Sequence, residues 1–158
     1  MKIPRSPGAH VLLGLVLVAC AGCGRDQTHE SDHAANYERI FGASPPARVD
    51  VVNSVVIEYS WRLGTVTTDD WEIEIVARRE WIELQVEDMQ LSLISGDSLA
   101  AQSVRERKAK PGRPWYAPQP LESYDTFALT LTSVPYVHML VETDPRHDGR
   151  FRLYMSKH

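Results

Sequence analysis

The stretch WEIEIVA, residues 71–77, decides the fold because apolar and acidic side chains alternate along it. Ile73 and Ile75 fall on one face of such a strand, and Glu72 and Glu74 fall on the other. A period of two is typical of an antiparallel strand that is buried on one face and exposed to water on the other. We therefore expect a sheet with one apolar face and one solvated, acidic face.

The same β signal recurs on both sides of this stretch. Four further segments are rich in β-branched and aromatic residues or alternate in polarity: VDVVNSVVIEYSW (49–61), TFALTLT (126–132), YVHMLVET (136–143) and RFRLYM (150–155). In residues 49–61 the alternation changes parity near Asn53 and Ser54, which predicts a bulge or a bend. The DPRHDG sequence at 144–149 supplies Pro, Asp and Gly for the turn between the last two strands.

The segment EWIELQVEDMQL, residues 80–91, fits two periods. Ile82, Leu84 and Val86 alternate as in a strand, whereas helical spacing joins Trp81, Ile82, Gln85, Val86 and Met89 into one stripe. Because Glu, Gln, Leu and Met favour helix and the segment is longer than a typical strand, we predict a helix packed across the sheet. Residues 36–41, NYERIF, predict one more helical turn, with Tyr37, Ile40 and Phe41 facing the core.

These elements predict an α+β fold, an antiparallel sheet of five or six strands with a helix packed on one face. An all-β small barrel is the alternative if residues 80–91 form a strand. The length suits a single globular domain, residues 36–158, preceded by a tether. The polar residues 20–35 predict that tether, because they show no apolar period.

The N-terminal residues predict an export signal. Lys2 and Arg5 form a basic segment, and residues 11–19, VLLGLVLVA, form a short apolar run that ends at Cys20. A membrane-spanning helix needs about 20 apolar residues. Nine are too few to span, but they match the apolar core of a secretory signal peptide.

Leu17-Val18-Ala19-Cys20 resembles the lipobox of bacterial lipoprotein precursors, a leucine and two small residues before a cysteine. The resemblance covers only the first twenty residues. It implies that Cys20 is alkylated with diacylglycerol and that the signal peptide, residues 1–19, is removed. Cys23, preceded by Ala21 and Gly22, is the alternative site. In such Gram-negative proteins an aspartate after the acylated cysteine retains the protein at the inner membrane. Its absence here predicts the outer membrane, with the domain facing the periplasm.

Charge and cysteine content exclude several classes of function. Without residues 1–19, fifteen basic and 21 acidic residues remain, a formal charge of −6, which argues against nucleic acid as a partner. The chain has no cysteine beyond Cys23, so thiol catalysis, cysteine-based zinc sites and iron–sulfur clusters are excluded from the domain. We predict no cofactor.

Two neighbouring features are candidates for binding. Trp115 and Tyr116 lie in a Pro-rich segment and could form an aromatic ridge for an envelope protein or a glycan. Four basic residues precede them and could meet lipid phosphates: Arg105, Arg107, Lys108 and Lys110. The alternatives are that the rings close an open edge of the core and that the basic loop is merely solvated.

Other polar clusters are weaker candidates for chemistry. His29 and His33 have the spacing of a metal pair on a helix, and Asp144, His147 and Asp148 cluster in a turn, but both patterns also suit solvated segments. His138 has no partner nearby in the sequence. The chain contains no G-x-S-x-G, S-x-x-K or phosphate-binding loop. We therefore predict a non-enzymatic binding or scaffolding protein without a metal. The alternatives are a small cell-wall hydrolase using carboxylates such as Asp70 and a purely structural envelope protein.

Overall fold

The structure is a computed structural model that describes residues 27–60, 67–95, 98, 113–131 and 134–157. The chain divides into two compact units. The first contains residues 1–27 and 58–68, and few of these are described. The second contains residues 28–57 and 69–158 and carries both of the helices and the core described below.

The described residues form a seven-stranded sheet and two α-helices. The strands are β1 (Gln27–His29), β2 (Asp50–Ser60), β3 (Thr67–Ala77), β4 (Ser92–Leu93), β5 (Tyr124–Leu131), β6 (Val134–Glu142) and β7 (Phe151–Lys157). The helices are α1 (His33–Phe41) and α2 (Arg79–Asp88), and a 3₁₀ turn covers Leu121–Ser123. The spatial order is β1-β2-β3-β7-β6-β5-β4, and the pairs from β3 to β4 are antiparallel. Among these residues, neither helix has the length and apolar character needed to cross a membrane.

The sheet has seven strands rather than the five or six predicted. The five segments predicted from sequence correspond to β2, β3, β5, β6 and β7. The additional strands are the two edges, β1 with three residues and β4 with two. Segments this short cannot show an alternating pattern, so sequence analysis had no signal for them.

The helix predicted at residues 80–91 is confirmed as α2. The alternative prediction, a β-strand at these residues, is therefore wrong. Ile82 is buried against the sheet, while Trp81 and Val86 pack partly buried against the same core. The helix ends before Gln90, which adopts a left-handed backbone with φ 54°. Leu91 is buried again directly after this turn and leads into β4.

Regular structure begins earlier than the domain boundary predicted at residue 36. The strand β1 starts at Gln27, and α1 starts at His33, within the segment predicted as a tether. Asp32 caps α1, since its side chain accepts a hydrogen bond from the Ala35 amide at 3.0 Å. The buried Asn36 amide donates to the His29 carbonyl at 3.0 Å and thereby ties α1 to β1.

One face of the sheet, the helix face, carries the main apolar core. Ile73 and Ile75 of β3 lie opposite Met155 and Leu153 of β7, and all four are fully buried. The helices cover this face through Tyr37, Phe41, Trp81 and Ile82, as the apolar alternation predicted. In β2, Val51 and Val56 pack against the same cluster although they are five residues apart. An odd separation requires a change of parity between them, as predicted near Asn53 and Ser54.

The other face, the polar face, differs from the prediction. We expected Glu72 and Glu74 to be solvated, but each is only 3% exposed. Residues 113–123 lie against this side, where Tyr116, Ala117, Tyr124, Leu140 and Tyr154 form a second buried cluster. The strand β3 is therefore buried on both faces. The alternation is real, but it separates an apolar layer from a buried polar layer.

We expect Asp32→Ala to lower the free energy of unfolding by about 1 kcal/mol, because the capping hydrogen bond to α1 is lost. Glu30→Ala is the matched control, since Glu30 is exposed and lies outside the helix. Urea unfolding followed by circular dichroism measures the difference. Equal stability of the two variants would contradict a helix that starts at His33.

Candidate functional site

Two ion pairs on the polar face stabilise the buried carboxylates of Glu72 and Glu74. Glu72 pairs with Arg113, with Nη1 and Oε2 2.7 Å apart. Glu74 lies 3.3 Å from Nε of Arg152 and accepts a hydrogen bond of 2.5 Å from the Asn53 side-chain amide. Burying an unpaired carboxylate is costly, so these partners are what allow β3 to be covered on this side. Arg113 comes from outside the sheet and thus connects the covering segment to it.

A row of polar side chains crosses three neighbouring strands. Ser156 of β7 lies opposite Glu72 of β3 on one side and opposite His138 of β6 on the other. The Ser156 Oγ is 2.8 Å from His138 Nε2. The Tyr116 hydroxyl donates to Ser156 Oγ at 3.0 Å and lies 3.1 Å from His138 Nε2. Strand pairing therefore brings together residues that are far apart in sequence.

The Ser156–His138 distance is that of a nucleophile and its general base. A nucleophile must also reach its substrate, and the exposed fractions of Ser156 and His138 are 0% and 1%. The Tyr116 ring covers both, at 6.5 Å from the His138 ring and edge-on to it. In this conformation the triangle formed by Ser156, His138 and Tyr116 holds residues 113–117 on the sheet. It satisfies buried polar groups and cannot meet a substrate.

Three tyrosines pack edge-to-face beside this triangle. The Tyr154 ring lies 5.7 Å from Tyr116 and 5.8 Å from Tyr124. Burial raises the pKa of the Tyr116 and Tyr154 hydroxyls far above the ordinary value of 10.0. The Tyr116 hydroxyl has two hydrogen-bond partners, whereas the buried Tyr154 hydroxyl has the Arg152 guanidinium beside it, which acts against the rise in its pKa that burial causes.

The helix face carries an open groove of about 620 Å³, which we call the helix groove. It lies between the loop before β2 and the first turns of α2, and its lining is Pro46, Ala47, Arg48, Val49, Arg78, Glu80, Trp81 and Leu84. Trp81 is half-buried, and the Leu84 side chain is 55% exposed. Arg48 and Arg78 are exposed at its rim, and neither forms an ion pair with a described residue. The groove thus offers apolar area and two guanidinium groups to a partner.

The residues predicted for binding lie elsewhere. Tyr116, at 7% exposed, is in the second core cluster, and Trp115 is half-buried against that cluster, 5.9 Å from Tyr116. The burial of Tyr116 agrees with the alternative interpretation, in which the rings close the core, whereas the half-buried Trp115 keeps part of its ring exposed. Cys20 and Cys23 lie outside the described residues, as do the four basic residues Arg105, Arg107, Lys108 and Lys110.

The weaker candidates also have structural roles. His33 Nδ1 lies 2.9 Å from the Ser54 hydroxyl, and Asp148 pairs with Arg150 at 2.7 Å. Within the described ranges, no group of three or more metal-ligating side chains comes together. Sequence reasoning missed the Ser156–His138 pair, because only strand register places these residues side by side. Sequence reasoning placed Trp81 in the stripe of the helix that faces the core, and it did not predict the groove beside this residue.

Comparison with protein-family models, curated proteins and solved structures finds no match for this chain. The function is therefore inferred from the chain's own residues. The two surfaces that bear on it are the closed polar face and the open helix groove.

We expect Tyr116→Phe to destabilise the protein more than Tyr154→Phe does. Tyr116→Phe removes two buried hydrogen bonds and should lower the free energy of unfolding by about 2 kcal/mol. Tyr154→Phe removes a hydroxyl whose interaction with Arg152 is poorly aligned and should change this free energy by less than about 1 kcal/mol. Urea unfolding at pH 7 measures both. An equal loss in the two variants would show that the Tyr154 hydroxyl is bonded as well as that of Tyr116.

We also expect the protein to lose stability above about pH 10, the ordinary tyrosine pKa. A raised pKa in the folded state means that the unfolded chain releases its proton first, so this stability is present below the unfolded pKa and is lost as pH rises. One such tyrosine contributes a slope of about 1.4 kcal/mol per pH unit. Unfolding free energies measured from pH 9 to 11.5 should fall less steeply in Tyr116→Phe than in the wild type. Parallel slopes would contradict the buried state of this hydroxyl.

Proposed function

We propose that this chain is a lipid-anchored protein of the bacterial envelope that acts as a non-enzymatic binding or scaffolding module. The observation that carries the proposal is the sequence Leu17-Val18-Ala19-Cys20 at the end of a short apolar run behind Lys2 and Arg5. Acyl chains on Cys20 fix the chain to a bilayer, because each buried CH₂ contributes about 0.8 kcal/mol. With Ala21 after the cysteine, the destination is the outer membrane and the domain faces the periplasm.

The closed polar face supports a non-enzymatic role. Its Ser156–His138 pair lies beneath Tyr116, and the carboxylates of Glu72 and Glu74 are occupied by arginines. These groups stabilise the covering segment, because their hydrogen bonds and charges are already paired with other residues of the fold. A hydrolase that works through carboxylates such as Asp70 is the alternative from sequence. No geometry among the described residues favours it.

The helix groove supports binding as the activity of the domain. A partner would bury the exposed side of Leu84 together with part of Trp81, and each apolar Å² removed from water contributes about 25 cal/mol. Trp and Arg are also the residues that most often carry binding energy. The groove therefore takes the place of the ridge first predicted at Trp115 and Tyr116.

We expect radiolabelled palmitate to be incorporated into the full chain expressed in a Gram-negative host and into Cys23→Ser, but not into Cys20→Ser. The thioether to diacylglycerol forms only on the lipobox cysteine, so the two serine variants are matched. Mass spectrometry of the mature N-terminus assigns the site. Labelling lost only in Cys23→Ser would move the anchor to Cys23, and an unacylated N-terminus would overturn the proposal.

A further inference from the structure

The anchor and the first strand are separated by very few residues. If Cys20 carries the acyl chains, residues 21–27 alone connect it to Thr28, the first residue of the second unit. Eight residue steps span at most about 30 Å even when fully extended. Acylation at Cys23 would shorten this reach further. The start of the second unit therefore stays within about 30 Å of the acylated cysteine.

The helix groove lies close to the point where this connection reaches the second unit. The Asn36 amide of α1 bonds the His29 carbonyl at 3.0 Å. Five residues along the same helix, about 8 Å further, the Phe41 ring packs edge-on to Trp81 at 6.0 Å. One short helix therefore bridges the end of β1 and the groove. A tether that ends beside His29 keeps the groove within reach of the lipid.

The chemistry of the groove matches the lipid–water interface. Trp and Leu side chains partition into the boundary between headgroups and acyl chains, and Trp is enriched there. Guanidinium groups bind phosphate oxygens with paired hydrogen bonds. Trp81 and Leu84 form the apolar part, and Arg48 and Arg78 provide two cations against the single carboxylate of Glu80.

Two acidic residues of α2, Glu83 and Glu87, lie outside the helix groove. They line a separate depression of about 570 Å³ together with Arg79, Gln90 and Phe127. The groove therefore has two arginines and one carboxylate, whereas the second depression has one arginine and two carboxylates. A chain with a formal charge of −6 after removal of residues 1–19 can thus present a locally cationic groove to an anionic surface.

We propose that the helix groove docks on the phospholipid surface to which the acyl chains hold this protein, an inference that rests on the proposed anchor. Docking fixes the orientation of the domain. Trp81 and Leu84 enter the interface, and Arg48 and Arg78 bind lipid phosphates. The polar face and its covering segment lie on the opposite side of the sheet from the groove and face the periplasm.

The test uses the full acylated chain in vesicles of phosphatidylethanolamine and phosphatidylglycerol. Leu84→Cys and its matched control Leu93→Cys are each labelled with an environment-sensitive fluorophore, after any unacylated cysteine near the N-terminus is replaced by serine. Leu93, at 66% exposed, is the control because it lies on β4 outside the groove. Lipids that carry a nitroxide on the acyl chain quench only a label that enters the interface. Mass spectrometry of the same sample reports acylation.

We expect the label at position 84 to be quenched about threefold more than the label at 93, since an interfacial side chain lies within about 10 Å of the acyl boundary. Arg48→Glu/Arg78→Glu should reduce the docked-to-undocked ratio by at least about 25-fold, because each arginine near an anionic surface contributes about a fivefold factor and the two factors multiply. Circular dichroism confirms that the variants are folded.

Three results would overturn the docking proposal. These are equal quenching at both positions, no quenching at either position, and a label at 84 that is shielded from soluble iodide but not quenched by lipid. The last result would assign the groove to a protein or glycan partner. Each of them, obtained with an acylated chain, leaves the anchor intact, whereas an unacylated chain means that the proposed function itself has failed.

Discussion

The buried ion pair between Glu72 and Arg113 is the interaction on which the architecture of the second unit depends. It allows a strand with alternating carboxylates to be covered on both faces. A carboxylate left unpaired at this depth would either take up a proton or force the covering segment away. With Arg113 in place, residues 113–123 close over the sheet and Tyr116 completes the polar row with Ser156 and His138. The apolar core of the helix face needs no such compensation.

The helix face was predictable because it follows one rule, the separation of apolar from polar side chains. The alternation of Ile73 and Ile75 predicted the buried face, and the composition of residues 80–91 predicted α2. The polar face was not predictable by that rule, since Glu72 and Glu74 look the same in a solvated strand and in a buried one. Only a distant arginine decides between these states, and a single sequence carries no sign of which arginine will reach which carboxylate.

The sites follow the same division. The position of Trp81 on the core side of a helix could be predicted from spacing, but the groove beside it forms only where the loop before β2 passes the helix. Trp115 and Tyr116 were found by composition, because many rings in a small domain cannot all be fully buried. Their environment depends on the register of β6 and β7, which places His138 opposite Ser156. Long-range pairing of this kind is invisible to local patterns.

The two edges of the sheet have a consequence for the membrane anchoring proposed above. Confinement to a bilayer raises the local concentration of a protein, and identical domains then collide edge to edge in one plane. An exposed long strand would invite intermolecular pairing and, eventually, fibrous aggregates. Among the described residues, the outermost strands have only three and two residues, Gln27–His29 and Ser92–Leu93. Each of these short strands is shorter than the strand beside it, β2 with eleven residues or β5 with eight, so among the described residues part of the outer edge of β2 and β5 is where a crowding neighbour could add a strand.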